Sequence, residues 1–345
     1  MKILSALLAA IMALLNFTGL HHAPVLSEEW KTTVKENYAE FIGEVDGNKD
    51  RIPIIISTDQ HGSITADSEF YSFINELVDW NKISKIINLG DTVENTYSSF
   101  ELLSYRAATN CLPEEKRIEV IGNHDRGGLK SGWLANRYFP TSGAERLKNT
   151  NNFIVTDKEF NVRYLAVDAK NSPWSYTSGL LTSDMADFII DELSKNTPED
   201  IVFLSHAYLF KDEIIKRDGS TFTGSEFFIG DAEKYTDVKQ SFIDMLAARN
   251  NKTAGVLIDC EGKSHNYDFS KCESEFLLAL HGHHHTEGYE TKDGITEFMF
   301  QSMRYDNGEN NEPDCFYFAY IDRSTNTLKV WKNLPGYDAW EITFD

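Results

Sequence analysis

Five short runs along the chain read as buried strands: 52–57, 85–89, 117–121, 201–205 and 276–280. Parallel strands covered on both faces show near-continuous apolar character rather than alternation. Between the first three runs, 66–80 and 96–109 carry helical spacing. Strand, helix, strand, helix, strand is the pattern of βαβ units and a parallel sheet. Upstream, 28–42 places Trp30, Val34, Tyr38 and Phe41 on one helical face. Downstream, 152–159 and 162–168 predict an antiparallel pair. A helix over 182–194, a helix over 238–249 and a hairpin over 255–269 follow, with a short helical piece at 133–138. The Gly-, Ser-, Thr- and Phe-rich stretch 211–231 predicts a loop over the strand ends. Runs at 296–302, 315–322 and 327–332 predict a second β-rich layer.

Each of the five strand runs is followed by polar residues able to bind a metal. They are Asp59-Gln60-His61, Gly90-Asp91-Thr92-Val93-Glu94-Asn95, Gly122-Asn123-His124-Asp125, His206, and Gly282-His283-His284-His285. Ligands of open α/β sheets gather beyond the carboxyl ends of the strands. These residues are therefore predicted to meet in one crevice. In extended chain, residues i and i+2 point the same way, so Asp59 and His61 can share a metal or flank two, and His283 and His285 repeat the device. Asp91 can bridge two cations, Asn123 offers a neutral carbonyl oxygen, and His206 an imidazole. Mixed imidazole and carboxylate sets suit Mn, Fe, Zn or Co better than Ca. Taken singly, each block has a plain reading: Gly-Asn-His-Asp as a turn, His206 as a packed histidine, the His tract as a surface feature. All five in order make those readings untenable together.

Charge narrows the partners. Asp and Glu number 54 against 33 Lys and Arg, a formal charge of -21. Duplex nucleic acid is bound largely through Lys and Arg on phosphates, so no duplex binding is expected. Lys2 followed by the apolar run 3–17 predicts a signal peptide over 1–23, and hence secretion or another extracytoplasmic location. That run is shorter than the ~20 residues of a spanning helix, and no stable membrane span is expected after cleavage. A helical lead-in over 24–50 and one domain over 51–345 complete the predicted organisation. None of Cys111, Cys260, Cys272 and Cys315 forms a Cys-x-x-Cys, which disfavours a zinc ribbon. A 260–272 bridge could close the hairpin in an oxidising compartment, with a 111–315 bridge beside it; the alternative is four unpaired, buried thiols.

The ordered blocks resemble the calcineurin-like metallophosphoesterases, whose pattern is Asp-x-His, Gly-Asp-x-x-Asp/Asn, Gly-Asn-His-Asp/Glu, a lone His and Gly-His-x-His. The resemblance covers 59–285 with one departure, Glu94 where the family has Asp or Asn. It implies an α/β fold with a two-sheet β-sandwich core flanked by helices (α/β/β/α). It assigns Asp59, His61 and His285 to one divalent transition-metal ion and Asn123, His206 and His283 to a second, with Asp91 bridging. It makes His124 the general acid or electrostatic stabiliser facing a small-molecule phosphate ester, and Asp125 the group orienting His124. The implied activity is hydrolysis of a phosphomonoester or phosphodiester by a metal-activated hydroxide. Two dications would leave the site positive, and exposed charges elsewhere are screened beyond roughly 8 Å.

Glu94 stands where purple acid phosphatases carry Tyr, and Glu94-Asn95 with Asp125 departs from the protein Ser/Thr phosphatase pattern; both subclasses are disfavoured. The alternative is a non-catalytic protein binding a phosphoryl ligand on the same scaffold. A Ser-nucleophile esterase is set aside, because no Gly-x-Ser-x-Gly occurs. Arg126, Tyr208, Phe222 and Phe228 are candidates for the rim. His284 is expected to point away, His281 to pack before the turn, and His265 to be solvated.

Overall fold

A computed structural model of the chain describes residues 26–61, 64–94, 99–126, 139, 141–148, 150–168, 180–210, 214–223, 229, 235–303 and 315–344. The predicted signal, the helical piece at 133–138, the Phe228 position and the Arg126 side chain lie outside the described residues.

The first sheet holds β1 (Arg51–Ser57), β2 (Lys85–Asn88), β3 (Arg117–Glu119), β15 (Tyr317–Asp322), β16 (Thr327–Lys332) and β17 (Trp340–Thr343), in the order β17-β16-β15-β1-β2-β3. β1, β2 and β3 are parallel neighbours, while β15 pairs antiparallel to β1. The second sheet holds β4 (Glu145–Arg146), β5 (Phe153–Asp157), β6 (Val162–Ala166), β7 (Asp200–Leu204), β8 (Ile214–Ile215), β9 (Thr221–Phe222), β12 (Phe276–His281), β13 (Gly288–Lys292) and β14 (Ile295–Met299). Its order is β4-β5-β6-β7-β12-β14-β13-β8-β9, with β6, β7, β12 and β14 parallel. A separate hairpin joins β10 (Ala254–Ile258) to β11 (Ser264–Asp268).

Alternation along the strands builds the layers, because successive side chains leave opposite faces. Ile54 and Ile56 of β1 and Ile87 of β2 enter one core with Val202, Leu204, Leu278 and Phe298 of the second sheet. Ile55 and Ile86, on the other face, pack under helices α1 (Glu28–Val45), α2 (Ile64–Leu77) and α3 (Ser99–Ala108). Ile201 and Phe203 face away from the inter-sheet core, toward α4 (Ser183–Ser194) and α5 (Thr236–Asn251). The result is helices, sheet, sheet, helices, as the resemblance implies. Helix α1 starts at Ser27, whose Oγ accepts from the Trp30 N–H at 3.1 Å, and buries Trp30, Val34 and Phe41.

Two expectations change. The predicted second β layer does not form as one unit: 295–299 joins the second sheet, whereas 317–322 and 327–332 extend the first sheet beside β1. No disulfide occurs among the described residues. The Cys260 Sγ accepts from Leu181 N–H, and the Cys272 thiol lies against the carbonyls of Leu193 and Ser194. The two sulfurs thus sit at opposite ends of α4, beyond disulfide reach. Cys111 and Cys315 donate to separate carbonyls, of Ala108 and Gln301.

Candidate metal centre

The carboxyl ends of β1, β2, β3, β7 and β12 meet where the two sheets join, and the loops beyond them bring the predicted residues together in two groups. Asp59, His61 and His285 offer ligand atoms within 4.8 Å of one another; so do Asp91, His206 and His283. In the first, His285 Nε2 lies 3.4 Å from Asp59 Oδ1 and 3.3 Å from His61 Nε2. In the second, His206 Nε2 lies 3.1 Å from Asp91 Oδ2 and 3.2 Å from His283 Nδ1. His206 Nε2 is also 3.8 Å from Asp59 Oδ1, so the groups adjoin.

The backbone achieves this differently from the extended geometry expected. Asp59, His61, Asp91, His283 and His285 all adopt positive φ, between 43° and 79°. Non-glycine residues seldom occupy that region, and such outliers persist where surrounding structure holds them. The turns are held by Asp59 N–H donating to Gly90 O at 2.8 Å and His61 N–H to Asp91 O at 3.1 Å. Two glycines permit the approach. A Cβ on Gly122 would lie 2.1 Å from Asp91 Oδ1, and one on Gly282 would lie 1.9 Å from Thr58 Oγ1.

The donor set fits divalent cations. Asp59 Oδ1 and Asn123 Oδ1 are buried oxygens with no hydrogen-bond partner among the described residues. Buried polar atoms are normally satisfied, and both of these stand at predicted ligand positions. Asp59 Oδ2, in contrast, accepts from Thr58 Oγ1 and from the His283 N–H, at 2.7 and 2.8 Å. His206 Nδ1 meets the Leu89 carbonyl at 2.8 Å. That contact places the proton on Nδ1 and leaves the Nε2 lone pair toward Asp91, the usual outer support of a metal-binding imidazole.

Charge follows the same design. Burial opposes ionisation of Asp91, which is 2% exposed, yet the positive charge that the imidazoles of His206, His124 and His61 carry when protonated outweighs it and holds its carboxyl well below the ordinary value. Asp59 is likewise lowered, with burial again opposed by His206 and His285. Burial lowers His61, partly countered by Asp91 and Asp59.

Asp125 does not orient His124. Its Oδ1 accepts the N–H groups of Thr92 and Val93 at 2.9 and 3.1 Å, and its Oδ2 that of Gly122 at 3.0 Å. It clips the Asp91 loop to the Asn123 loop, and burial with the nearby Asp91 charge raises it to about 7. The His124 ring is met by Glu94: Nδ1 lies 3.0 Å from the Glu94 carbonyl and 3.9 Å from its Oε1. The His124 N–H itself donates to Asp91 Oδ1 at 2.7 Å.

Among the other histidines, His265 sits differently from expectation. His265 is buried, 2.6 Å from Asp187 Oδ1 and 3.0 Å from Asp259 Oδ2, because the β10–β11 hairpin lies on α4. His281 is a polar hub, with Nδ1 3.0 Å from Ser205 Oγ and Nε2 3.2 Å from Glu297 Oε2. His284 packs edge-on against Tyr208, ring centroids 4.9 Å apart, and lies 5.5 Å from Phe222. Tyr208 and Phe222 therefore do adjoin the site, through His284.

A buried polar network behind the candidate ligands carried no pattern that singled it out in the sequence. Asn88 Oδ1 accepts from Gly90 N–H at 2.9 Å, while its Nδ2 reaches Thr92 Oγ1, Tyr105 OH and Gln60 Oε1. Asn88 thereby joins the loop of Asp59 to the loop of Asp91. An amide at the end of an otherwise apolar strand was the available signal.

Neither a scan against protein-family models nor a search of the curated proteins finds a match. Among solved structures the chain is similar to a purple acid phosphatase from yellow lupin seeds, at 14% identity, covering 85% of this chain and 54% of that one with a TM-score of 0.45. It is similar to GAP50, the anchor in the inner membrane complex of Plasmodium, at 10% identity, 86% and 89% coverage and a TM-score of 0.44. It is similar also to a calcineurin-like phosphoesterase from Bacillus subtilis, at 12% identity, 85% and 90% coverage and a TM-score of 0.40. The chain resembles the calcineurin-like metallophosphoesterases in its own motif order, 59–285, and in the two-sheet architecture that gathers those motifs.

Proposed function

We propose that the protein is a dinuclear-metal phosphoesterase acting on a phosphomonoester or phosphodiester. The observation that carries this reading is the pair of adjoining ligand groups, with His124 beside them. Asp59, His61 and His285 would hold one divalent cation, and Asn123, His206 and His283 the other, with Asp91 serving both. Two such ions supply a lowered pKa for a nucleophilic water and positive charge for the phosphoryl oxygens. The chain's own residues do the rest. Asp59 and Asp91 are fixed by backbone donors, so their oxygens need no reorganisation. His124 is held through Nδ1 by the Glu94 carbonyl, and Nε2 is the nitrogen that would hand a proton to the leaving oxygen. The His124 and His285 side chains are 31% and 37% exposed, against 0% for Asp59, so the site opens on their side.

Export belongs to the same proposal. Lys2 and the apolar run 3–17 support it, and no helix among the described residues is long and apolar enough to cross a membrane. Mature protein from the native host is expected to begin after about residue 23.

The test of function is release of nitrophenolate from nitrophenyl phosphate and bis-nitrophenyl phosphate, with Mn, Zn, Co or Mg added to chelated protein. Metal-dependent turnover of either supports the proposal. Tight phosphate binding without turnover of any ester would favour the binding-protein alternative.

A further inference from the structure

The one departure from the motif pattern, Glu94, lies against both flanking histidines. Its Oε2 is 2.7 Å from His61 Nδ1, and its Oε1 is 3.9 Å from His124 Nδ1. The two rings meet edge-on with centroids 4.7 Å apart. We propose that the Glu94 carboxylate is a positioning group for the outer nitrogen of the candidate ligand His61; this builds on the dinuclear reading above.

The chemistry of His61 requires such a partner. Its Nε2 faces the first ligand group, 3.3 Å from His285 Nε2. Its other nitrogen is buried, and no hydrogen bond satisfies it among the described residues. Glu94 Oε2 lies at ion-pair distance but off the line of that ring N–H. With 52% of its side chain exposed, the carboxylate has room to swing onto that line. A carboxylate on the outer nitrogen of a metal-binding imidazole fixes its tautomer and raises its basicity. Asp at this position would fall short by one carbon–carbon bond, about 1.5 Å. The longer side chain thus reaches a histidine that the usual residue would not, while its own carbonyl holds His124 at 3.0 Å.

A competing use of the same atoms is visible. His61, Glu94 and His124 also fall within 4.8 Å as a possible ligand group. If Glu94 ligates there, a third ion should bind.

The experiment is calorimetric titration of chelated protein with Mn²⁺ or Zn²⁺, comparing wild type with Glu94→Gln and Glu94→Ala. Melting in chelator is recorded for each. Wild type should take up two equivalents. In both variants one step should weaken 10–100-fold, the usual loss on removing such an outer partner. The other step and the metal-free melt should stay unchanged. Wild-type affinity at both steps in either variant overturns the proposal. A third equivalent in wild type, lost in Glu94→Gln, overturns it in favour of Glu94 as ligand. Wild type that binds no metal refutes the dinuclear reading itself, a result distinct from either.

Discussion

The backbone N–H of His283 donates to Asp59 Oδ2 at 2.8 Å, joining loops from the two sheets. The bond occupies one carboxylate oxygen and leaves Oδ1 facing His285 and His206. It requires the chain at Gly282 to pass within contact of Thr58 and Asp59. Gly282→Ala is therefore expected to separate the loops, at a cost of about 1–3 kcal/mol as for other overpacked sites, and to weaken metal binding. Thermal melts and metal titration of the variant check it. Unchanged values for both would contradict the close approach.

Asp125 gives a pH signature. Its folded-state value near 7 lies above the ordinary 3.8. A raised value means that the folded chain holds a proton that the unfolded chain releases. The contribution is fully present below about pH 4 and is lost as pH rises toward 7. Asp125→Asn cannot titrate, and it sets an amide donor against the Gly122 N–H. The variant should be less stable by about 1–3 kcal/mol, the penalty for an unsatisfied buried donor. In chelator, the wild-type advantage should shrink between pH 4 and 7. A gap that is constant across that range would refute the raised value.

Asp259 should behave with the opposite sign. Burial disfavours its charge, but Ser183, His265 and the amides of Lys263 and Glu261 hold its carboxyl down at about 2. Its contribution is present above about pH 4 and lost as pH falls toward 2. Asp259→Asn should cost about 2 kcal/mol at pH 6, the order expected on losing hydrogen bonds to a charged group. Denaturant melts at pH 6 and pH 3 should show that cost narrowing at the lower pH. A cost that grows toward pH 3 would contradict the assignment.

His124→Ala should leave metal content intact, because its ring belongs to neither principal ligand group. Turnover should fall on the order of 10²–10⁴-fold for alkyl leaving groups and much less for nitrophenol, which leaves unprotonated. Equal losses for both would assign His124 an electrostatic role instead.

The five strand runs and the polar residues that follow them were legible because both are local. Apolar runs such as 52–57 announce buried strands, and Asp59, Asp91, Asn123, His206 and His283 stand directly beyond them. What stayed hidden depends on tertiary reach. The positive φ of Asp59 and His61 is imposed by hydrogen bonds to Gly90 and Asp91, which no local pattern displays. Asp125 neighbours His124 in sequence, yet its carboxylate turns to Thr92, Val93 and Gly122. His265 alternates on a hairpin strand and reads as exposed until α4 covers it with Asp187. Sheet membership of 295–299 and 317–322 was likewise open, since strand length and hydrophobicity do not name a partner.

The central claim is that the converged residues hold two divalent cations that hydrolysis needs. Elemental analysis of purified protein, paired with nitrophenyl ester turnover before and after chelation, tests it most directly. Two transition-metal ions per chain, turnover abolished by chelator and restored by added metal, is the predicted result. Full turnover by protein shown to contain no metal would contradict it.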